Sequence, residues 1–169
     1  LAYTYNGTNN DPVYGIAVPA VGFVMLRGAY LFTGNANDTV HFCRNKMQVS
    51  MNRYRDLGMS VFNFAVNGNP YFHDPNDPLQ SYNLLKGLHT DGSPIFHPDG
   101  FVTTLPYSGD PVTQTGWNAA EFDDYRMYVS TGPVDLYPGD TQIIVAAQII
   151  ALGTSYLNSI TALRSSTAE

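Results

Sequence analysis

Short runs of alternating apolar and polar residues recur along the chain, separated by glycine, proline, asparagine and aspartate. Alternation with a period of two places apolar side chains on one face of a strand, whereas the separating residues favour turns. The pattern predicts strands at residues 1–5, 21–26, 29–32, 39–43, 47–51, 61–66, 125–129 and 143–150.

The segment 143–150 is the strongest of these predictions, because seven of its eight residues are apolar. A strand that is apolar on both faces is predicted to be central and buried on both sides. It follows Pro138 and Gly139, an order that suits a tight turn, so we expect a hairpin here. Together these features predict a mainly β chain. We expect an antiparallel β-sandwich, immunoglobulin-like or jelly-roll-like, with one or two short helices and long loops.

Two segments carry helix signals instead. Residues 79–88 follow Asp77, which suits the N-cap position, and Pro78, which suits the first helical position. Residues 155–163 place Leu157, Ile160 and Leu163 on one face of a second helix. The stretches 67–78 and 89–118 are rich in proline, glycine and aspartate, and we expect long ordered loops there.

With 169 residues, the chain can bury a sizeable core without disulfides or metals. We expect residues 1–169 to form a single β-rich domain. The sequence begins at Leu1 within a predicted strand and has no initiator methionine. From this we expect a fragment or a processed subunit of a longer chain.

Charge narrows the range of partners. Charged residues make up 13% of the chain, roughly half the usual ~25%. The net charge is -6, and lysine occurs only at Lys46 and Lys86. Nucleic acids and anionic membranes both require clustered basic residues, so we predict neither partner, and no apolar run is long enough for membrane insertion. Cys43 is the only cysteine. We expect it to be a small buried residue, with an intermolecular disulfide or a reactive thiol as the alternative.

A set of short stretches is spread over nearly the whole chain. It comprises PAVGF at 19–23, FNFAVNGNP at 62–70, YNLLKGL at 82–88, GDPVT at 109–113, TGW at 115–117, STGP at 130–133, PGDTQ at 138–142 and SITAL at 159–163. As a set, it resembles uncharacterised secreted proteins of Bacteroidetes and Ignavibacteria that look like clients of the type IX secretion system. The resemblance implies export and an extracellular or cell-surface location, and it implies no particular chemistry.

Oxygen-bearing side chains cluster in the loops. Asp74, Asn76 and Asp77 are the calcium candidates, because calcium takes about six to eight oxygen ligands and such loops can supply them. Their spacing does not match the twelve-residue calcium loop, and Asx-turns or helix caps explain the same residues. We predict no cofactor, with calcium at these residues as the alternative.

Histidines and carboxylates in the middle of the chain offer a second candidate chemistry. His73, His89 and His97 lie in the loop-rich region, but their spacing fits no zinc motif. Glu121 and Asp123, with Asp124 beside them, could pair as in a glycosidase, yet solvated loop carboxylates look the same in sequence. We therefore predict no catalytic residue and no enzyme activity.

Aromatic side chains in or beside the loops give the binding candidates, which are Trp117, Tyr107 and Tyr71. Exposed aromatic rings stack on sugars or anchor protein interfaces, whereas core packing is the alternative. Three functions stay open: a structural subunit of a filament, sheath or surface layer, a glycan- or surface-binding adhesive module, and an extracellular hydrolase domain. We favour the first, with a second copy or other surface-protein chains as partners and glycans as the alternative ligand.

Overall fold

A computed structural model describes residues 1–7, 11–44, 46–119 and 123–167. The chain is mainly β, with nine strands and two helices in this part of the sequence. The strands are β1 (Ala2–Tyr5), β2 (Ala20–Arg27), β3 (Tyr30–Phe32), β4 (Thr39–Arg44), β5 (Met47–Asn52), β6 (Tyr54–Asp56), β7 (Val61–Ala65), β8 (Arg126–Ser130) and β9 (Val145–Ala151). The helices are α1 (Pro78–Leu85) and α2 (Tyr156–Ser165).

All strand pairs are antiparallel, and the sheets are small. One sheet has three strands in the order β1-β2-β9, and three two-stranded sheets pair β3 with β6, β4 with β5, and β7 with β8. The mainly β prediction is therefore confirmed. The sandwich is not confirmed, because the sheets are small and do not close around a shared core.

Both helices begin where the sequence predicts. Asp77 is the N-cap of α1 and accepts a hydrogen bond from the Gln80 amide, with Pro78 in the first turn. Ser155 caps α2 in the same way through the Asn158 amide. These caps satisfy amide groups that have no partner within the helix, which explains why local sequence locates the helix starts.

The best-defined core lies between α2 and the three-stranded sheet. Ala20 on β2 is fully buried against Ile160 and Leu163 of α2. Ile149 and Ala151 of β9 pack against the same cluster. Within the described ranges, no helix has the length and hydrophobicity needed to cross a bilayer.

Two expectations for the segment 143–150 are wrong. It does form a strand, β9, but β9 lies at the edge of its sheet and pairs only with β2 in the described part of the chain. The turn at Pro138 and Gly139 forms, yet it joins no hairpin, because β8 pairs with β7. An apolar run is the same in sequence whether a second sheet covers it or not, so the pattern could not distinguish the two cases.

Cys43 is a further correction. The sequence predicts a buried small residue, whereas the structure exposes the thiol on β4. Alternation along β4 puts Cys43 on the same face as the exposed His41, whereas the buried Val40 lies on the opposite face.

Candidate functional site

The outer edge of β9 is an open strand edge in the described part of the chain. Its sequence, VAAQIIA, contains no charged residue and no proline. Ile150 is 66% exposed, and Val145 is also exposed. The flanking Ile144 and Leu152 are exposed as well, so the apolar surface extends past both ends of the strand.

The backbone of β9 offers hydrogen-bonding groups along this edge. Every backbone hydrogen bond of residues 145–151 found in the described structure runs to β2. In an antiparallel ladder, alternate residues direct their amide and carbonyl groups away from the paired neighbour. An edge strand therefore presents a row of donors and acceptors that a further strand can use.

One face of β9 is firmly held, which keeps this edge in place. Ile149 and Ala151 point toward α2, where Ile160 and Leu163 are fully buried. Ile150 lies on the opposite face, directly across from Val21 of β2. The edge is thus part of a supported sheet and presents apolar side chains on its free face.

The opposite edge of the same sheet is different. Strand β1 lines a cavity of about 360 Å³ together with β7, β8 and the loop 105–119. Tyr3 of β1 also accepts a hydrogen bond at its hydroxyl from Arg164 of α2, at 2.8 Å. The side chains of β1 are therefore engaged with their own chain, in contrast to the exposed side chains of β9.

The total surface indicates that more area is left uncovered than a single compact chain requires. The accessible surface is 10430 Å² for a mass of 18.6 kDa. The scaling for folded monomers gives about 8,200 Å² at this mass. The excess of roughly 2,200 Å² exceeds the ~800 Å² that each partner covers in a standard interface. The chain therefore has ample surface for contacts with other chains.

The predicted binding residues belong to one continuous row of rings. Trp117 meets Tyr107 at a centroid distance of 5.1 Å, and Tyr107 stacks on Phe64 at 5.0 Å. The row continues in both directions through further ring contacts, in the order Tyr71, His89, Phe72, Phe64, Tyr107, Trp117, His97 and Phe101. The structure thus connects Trp117 directly with Tyr107, and places Tyr71 at the far end of the row.

The geometry of Trp117 favours packing over ligand stacking. Its ring makes edge-to-face contacts with Tyr107 and with His97, and the side chain is half-buried. Sugars need an open ring face, and these neighbours occupy part of that space. Tyr71 is 56% exposed and is the predicted binding residue with the most accessible ring.

The cavity beside this row is mainly apolar. Tyr107, Phe64, Leu105 and Met127 are among the residues that line it, and the lining contains no histidine and no carboxylate among the described residues. Arg164 lines it as well and forms two hydrogen bonds with Asp110, at 3.0 and 3.1 Å.

That ion pair has an electrostatic consequence. The hydrogen bonds from Arg164, assisted by the Val112 amide, lower the pKa of the Asp110 carboxyl from 3.8 to about 2. The carboxyl is therefore held as an anion by its partners, which suits a structural ion pair and not a proton donor near neutral pH.

The calcium candidates are directed to separate partners. The carboxylate of Asp77 caps α1, and that of Asp74 forms an ion pair with Arg126 at 3.2 Å. The backbone amide of Asn76 donates to the side chain of Gln80. Helix capping and ion pairing account for the two carboxylates, and calcium binding stays an untested prediction.

The histidines do not gather at one point. His73 contacts the Asp74 carbonyl, His89 contacts Ser93, and His97 lies 3.2 Å from Asp99. Burial lowers the pKa of the His89 imidazole. Across the described ranges, no group of three histidine, cysteine, aspartate or glutamate side chains is placed to hold a metal ion.

The described acidic candidates near β8 lie side by side and form polar contacts of their own. Asp124 forms an ion pair with Arg126 at 3.0 Å, and Asp123 accepts a hydrogen bond from the Asp124 amide. Glu121 lies outside the described residues. Asp123 and Asp124 both line a cavity beside Thr4 and Pro19, and a glycosidase-like pairing of carboxyl groups stays an untested prediction.

Sequence reasoning did not single out Arg27. Its side chain is only 7% exposed, and none of its three guanidinium nitrogens has a hydrogen-bond partner among the described residues. The guanidinium lies 4.4 Å from the Phe42 ring centroid and 5.1 Å from that of Tyr30. These cation–π contacts offset part of the cost of burying the charge. An arginine at the end of an apolar strand is the only sequence signal that could have indicated it.

Comparison with known proteins adds no relationship to this geometry. No protein-family model, no curated protein and no solved structure matches the chain.

Proposed function

We propose that this chain is a non-catalytic structural module of an extracellular or cell-surface assembly, such as a filament, sheath or surface layer. The observation that carries the proposal is the free edge of β9, a seven-residue strand without charge whose Val145 and Ile150 are exposed apolar side chains. An assembly of this kind uses such an edge as the place where another chain adds to the sheet.

The argument depends on how edge strands are normally protected. Proteins that remain monomeric protect their edges with lysine, proline, bulges or short strands, because an exposed edge promotes association. Strand β9 contains neither lysine nor proline. Among the described strands, only β2 is longer. Its flanks, Ile144 and Leu152, add further exposed apolar area. Retaining such an edge is costly for a monomer and useful for an assembly.

The proposed location outside the cell has separate support. Only 13% of the residues are charged, and amide, hydroxyl and phenol groups replace them. The resemblance to secreted proteins of Bacteroidetes and Ignavibacteria points in the same direction. The low charge and the resemblance are both features of the sequence and do not depend on β9. The proposed location can therefore be tested separately from the proposed assembly.

The experiment is a measurement of molar mass across concentration by sedimentation equilibrium. We expect the average mass to rise above 18.6 kDa as the protein concentration increases. Ile150→Lys should reduce association, because it places a charge in the apolar edge. The matched control is Val13→Lys, which changes another exposed aliphatic residue outside the sheets. A chain that stays monomeric at millimolar concentration would contradict the proposal.

A glycan- or surface-binding module is the second candidate, favoured by the exposed ring of Tyr71 and its continuity with Trp117. If the chain is a glycan-binding module, it should bind on a glycan array. Tyr71→Ala and Trp117→Ala should then abolish this binding, whereas Tyr14→Ala, an exposed tyrosine outside the row, should not. A blank array with folded protein would remove this candidate.

A further inference from the structure

We propose that β9 pairs antiparallel with β9 of a second copy of this chain, about a two-fold axis that passes beside Gln148. This inference rests on the proposed function and names its partner and register. It starts from the sequence of the strand, VAAQIIA, in which Gln148 is the middle residue. Two alanines precede Gln148 and two isoleucines follow it, so the reversed strand sets each of these alanines opposite an isoleucine.

The symmetry restricts the registers that are allowed. An antiparallel pair of identical strands in one sheet is related by an axis perpendicular to the sheet, which keeps each side chain on its own face. Residues directly opposite must share a face, so the axis has to pass beside a residue and not between two residues. For β9, an axis beside Gln148 or one of its immediate neighbours keeps most residues of the strand paired.

The centre at Gln148 gives the best fit of side chains. It sets Ala146 opposite Ile150 of the second copy, Ala147 opposite Ile149, and Val145 opposite Ala151. Each isoleucine therefore meets an alanine, and the two Gln148 amides face each other, where they can exchange hydrogen bonds. No charges of like sign oppose each other across the strands.

The neighbouring centres fit less well. An axis beside Ile149 sets Ile150 opposite Gln148 and leaves the first two residues of β9 without a partner residue in the strand. An axis beside Ala147 leaves the last two residues unpaired, including the exposed Ile150. Each shift reduces the paired length and exposes an isoleucine or places it against an amide.

The second copy is favoured over pairing of β9 with β1 of another molecule. Strand β1 has four residues, and its side chains line the cavity and contact Arg164. Pairing β9 with itself matches two long, open edges and makes a two-fold dimer the repeating unit of the proposed assembly. The two sheets then form one six-stranded sheet. Both α2 helices lie on the same face of it.

The pairing also extends an apolar surface. Ile150 lies across from Val21 of β2, and Gln148 lies across from Phe23. In the dimer, Ala146 of the second copy lies on the other side of Ile150. Pairing therefore covers part of the side chain that is most exposed within β9.

The first test uses charge at the axis. In Gln148→Lys and Gln148→Glu, equal charges face each other across the two-fold axis, so each variant alone should raise the dimer dissociation constant about 5-fold. An equimolar mixture of the two variants should restore a species of twice 18.6 kDa. Gln148 is exposed in the single chain, so these changes leave its fold intact. Gln48→Lys, the same change at an exposed position on β5, is the control and should not alter dimerisation.

The second test uses disulfides in a Cys43→Ser background, which removes the exposed native thiol. Gln148→Cys should cross-link with itself, because directly opposite Cα atoms in an antiparallel pair lie ~4.5–5.5 Å apart, within the disulfide range. Ile150→Cys alone should not cross-link, since its two copies are offset by ~13 Å along the strands. A mixture of Ile150→Cys and Ala146→Cys should form the mixed disulfide.

The outcomes separate this inference from the proposed function. A chain that remains monomeric would overturn both. Association without rescue by the mixed charges, or with cross-linking of Ile150→Cys to itself, would overturn the register and leave the assembly proposal in place. Growth into polymers that Gln148→Lys does not affect would identify another surface as the contact.

Discussion

The contact between α2 and the three-stranded sheet allows a quantitative test of the fold, through the substitution Ile160→Ala. Ile160 is fully buried and packs against Ala20 and Leu163, which are fully buried as well. The helix covers the inner face of β9 through Ile149 and Ala151. The substitution therefore examines the contact that holds β9 in place as an edge.

The magnitude follows from the burial. The change removes three carbon atoms, and at ~0.8 kcal/mol per buried methylene this costs about 2.4 kcal/mol. The space that remains adds a cavity cost, which brings large-to-small changes of this kind to about 2–5 kcal/mol. Ala20 is too short to fill the space, so we expect a loss of about 3–4 kcal/mol in the free energy of unfolding.

Urea unfolding followed by circular dichroism measures this loss. The midpoint should decrease while the dependence of the unfolding free energy on urea stays constant, because the same surface is exposed on unfolding. Thr161→Ala is the control on the same helix. Its exposed hydroxyl donates only to the Leu157 carbonyl, so a change within ~0.5 kcal/mol is expected.

A small effect would refute the reasoning. If Ile160→Ala costs less than ~1 kcal/mol, the side chain is not in a closely packed core, since the transfer term alone exceeds that value. The helix would then not be docked on the sheet as described. The inner face of β9 would then be uncovered as well. The proposal that only its outer face and edge are available to a second chain would fail.

Three further predictions concern polar groups. Arg164 depresses the pKa of the Asp110 carboxyl from 3.8 to about 2. The ion pair therefore stabilises the fold above pH 3.8, and this stabilisation is lost as the pH falls through about 2. Thermal unfolding of Asp110→Asn should lack this acid-dependent loss. Burial lowers the pKa of the His89 imidazole below 6.5, so folding opposes its protonation. The free energy of unfolding is therefore highest above pH 6.5 and decreases at lower pH, and NMR titration of the imidazole measures the lowered pKa. Asn63 is fully buried and donates to the Leu84 carbonyl in α1, so Asn63→Ala should cost about 2–4 kcal/mol in urea unfolding.

Local signals predicted most of the secondary structure. The helix starts depend on Asp77 and Ser155, whose caps involve residues within one turn, so sequence contains all the information required. The sequence pattern did not predict strand β6. This strand has only three residues and follows Arg53, whose positive φ cannot be inferred from a sequence pattern. Alternation needs more length than that to be recognised.

The arrangement of the candidate site was not available from sequence. Tyr107 and Trp117 were predicted separately as loop residues, and their contact depends on a turn in which the Gly109 amide donates to the Trp117 carbonyl. A side chain at Gly109 would come within 2.7 Å of that backbone. The contact is thus set by a close approach of two backbone segments, which propensities and periodicity do not encode.

The error over β9 has a physical explanation that connects it with the proposed assembly. A strand that is apolar on both faces is adapted to burial within a sheet, and sequence records this adaptation without recording which chain supplies the neighbours. Within the described part of the single chain, β9 pairs with β2 alone, and Ile150 is left in solvent. Pairing of two copies about Gln148 would give β9 a neighbour on each side and make it an inner strand of six. The cost of exposing Ile150 in the monomer then acts as a driving force for association, and a charge at Gln148 should remove the pairing while leaving each single chain folded.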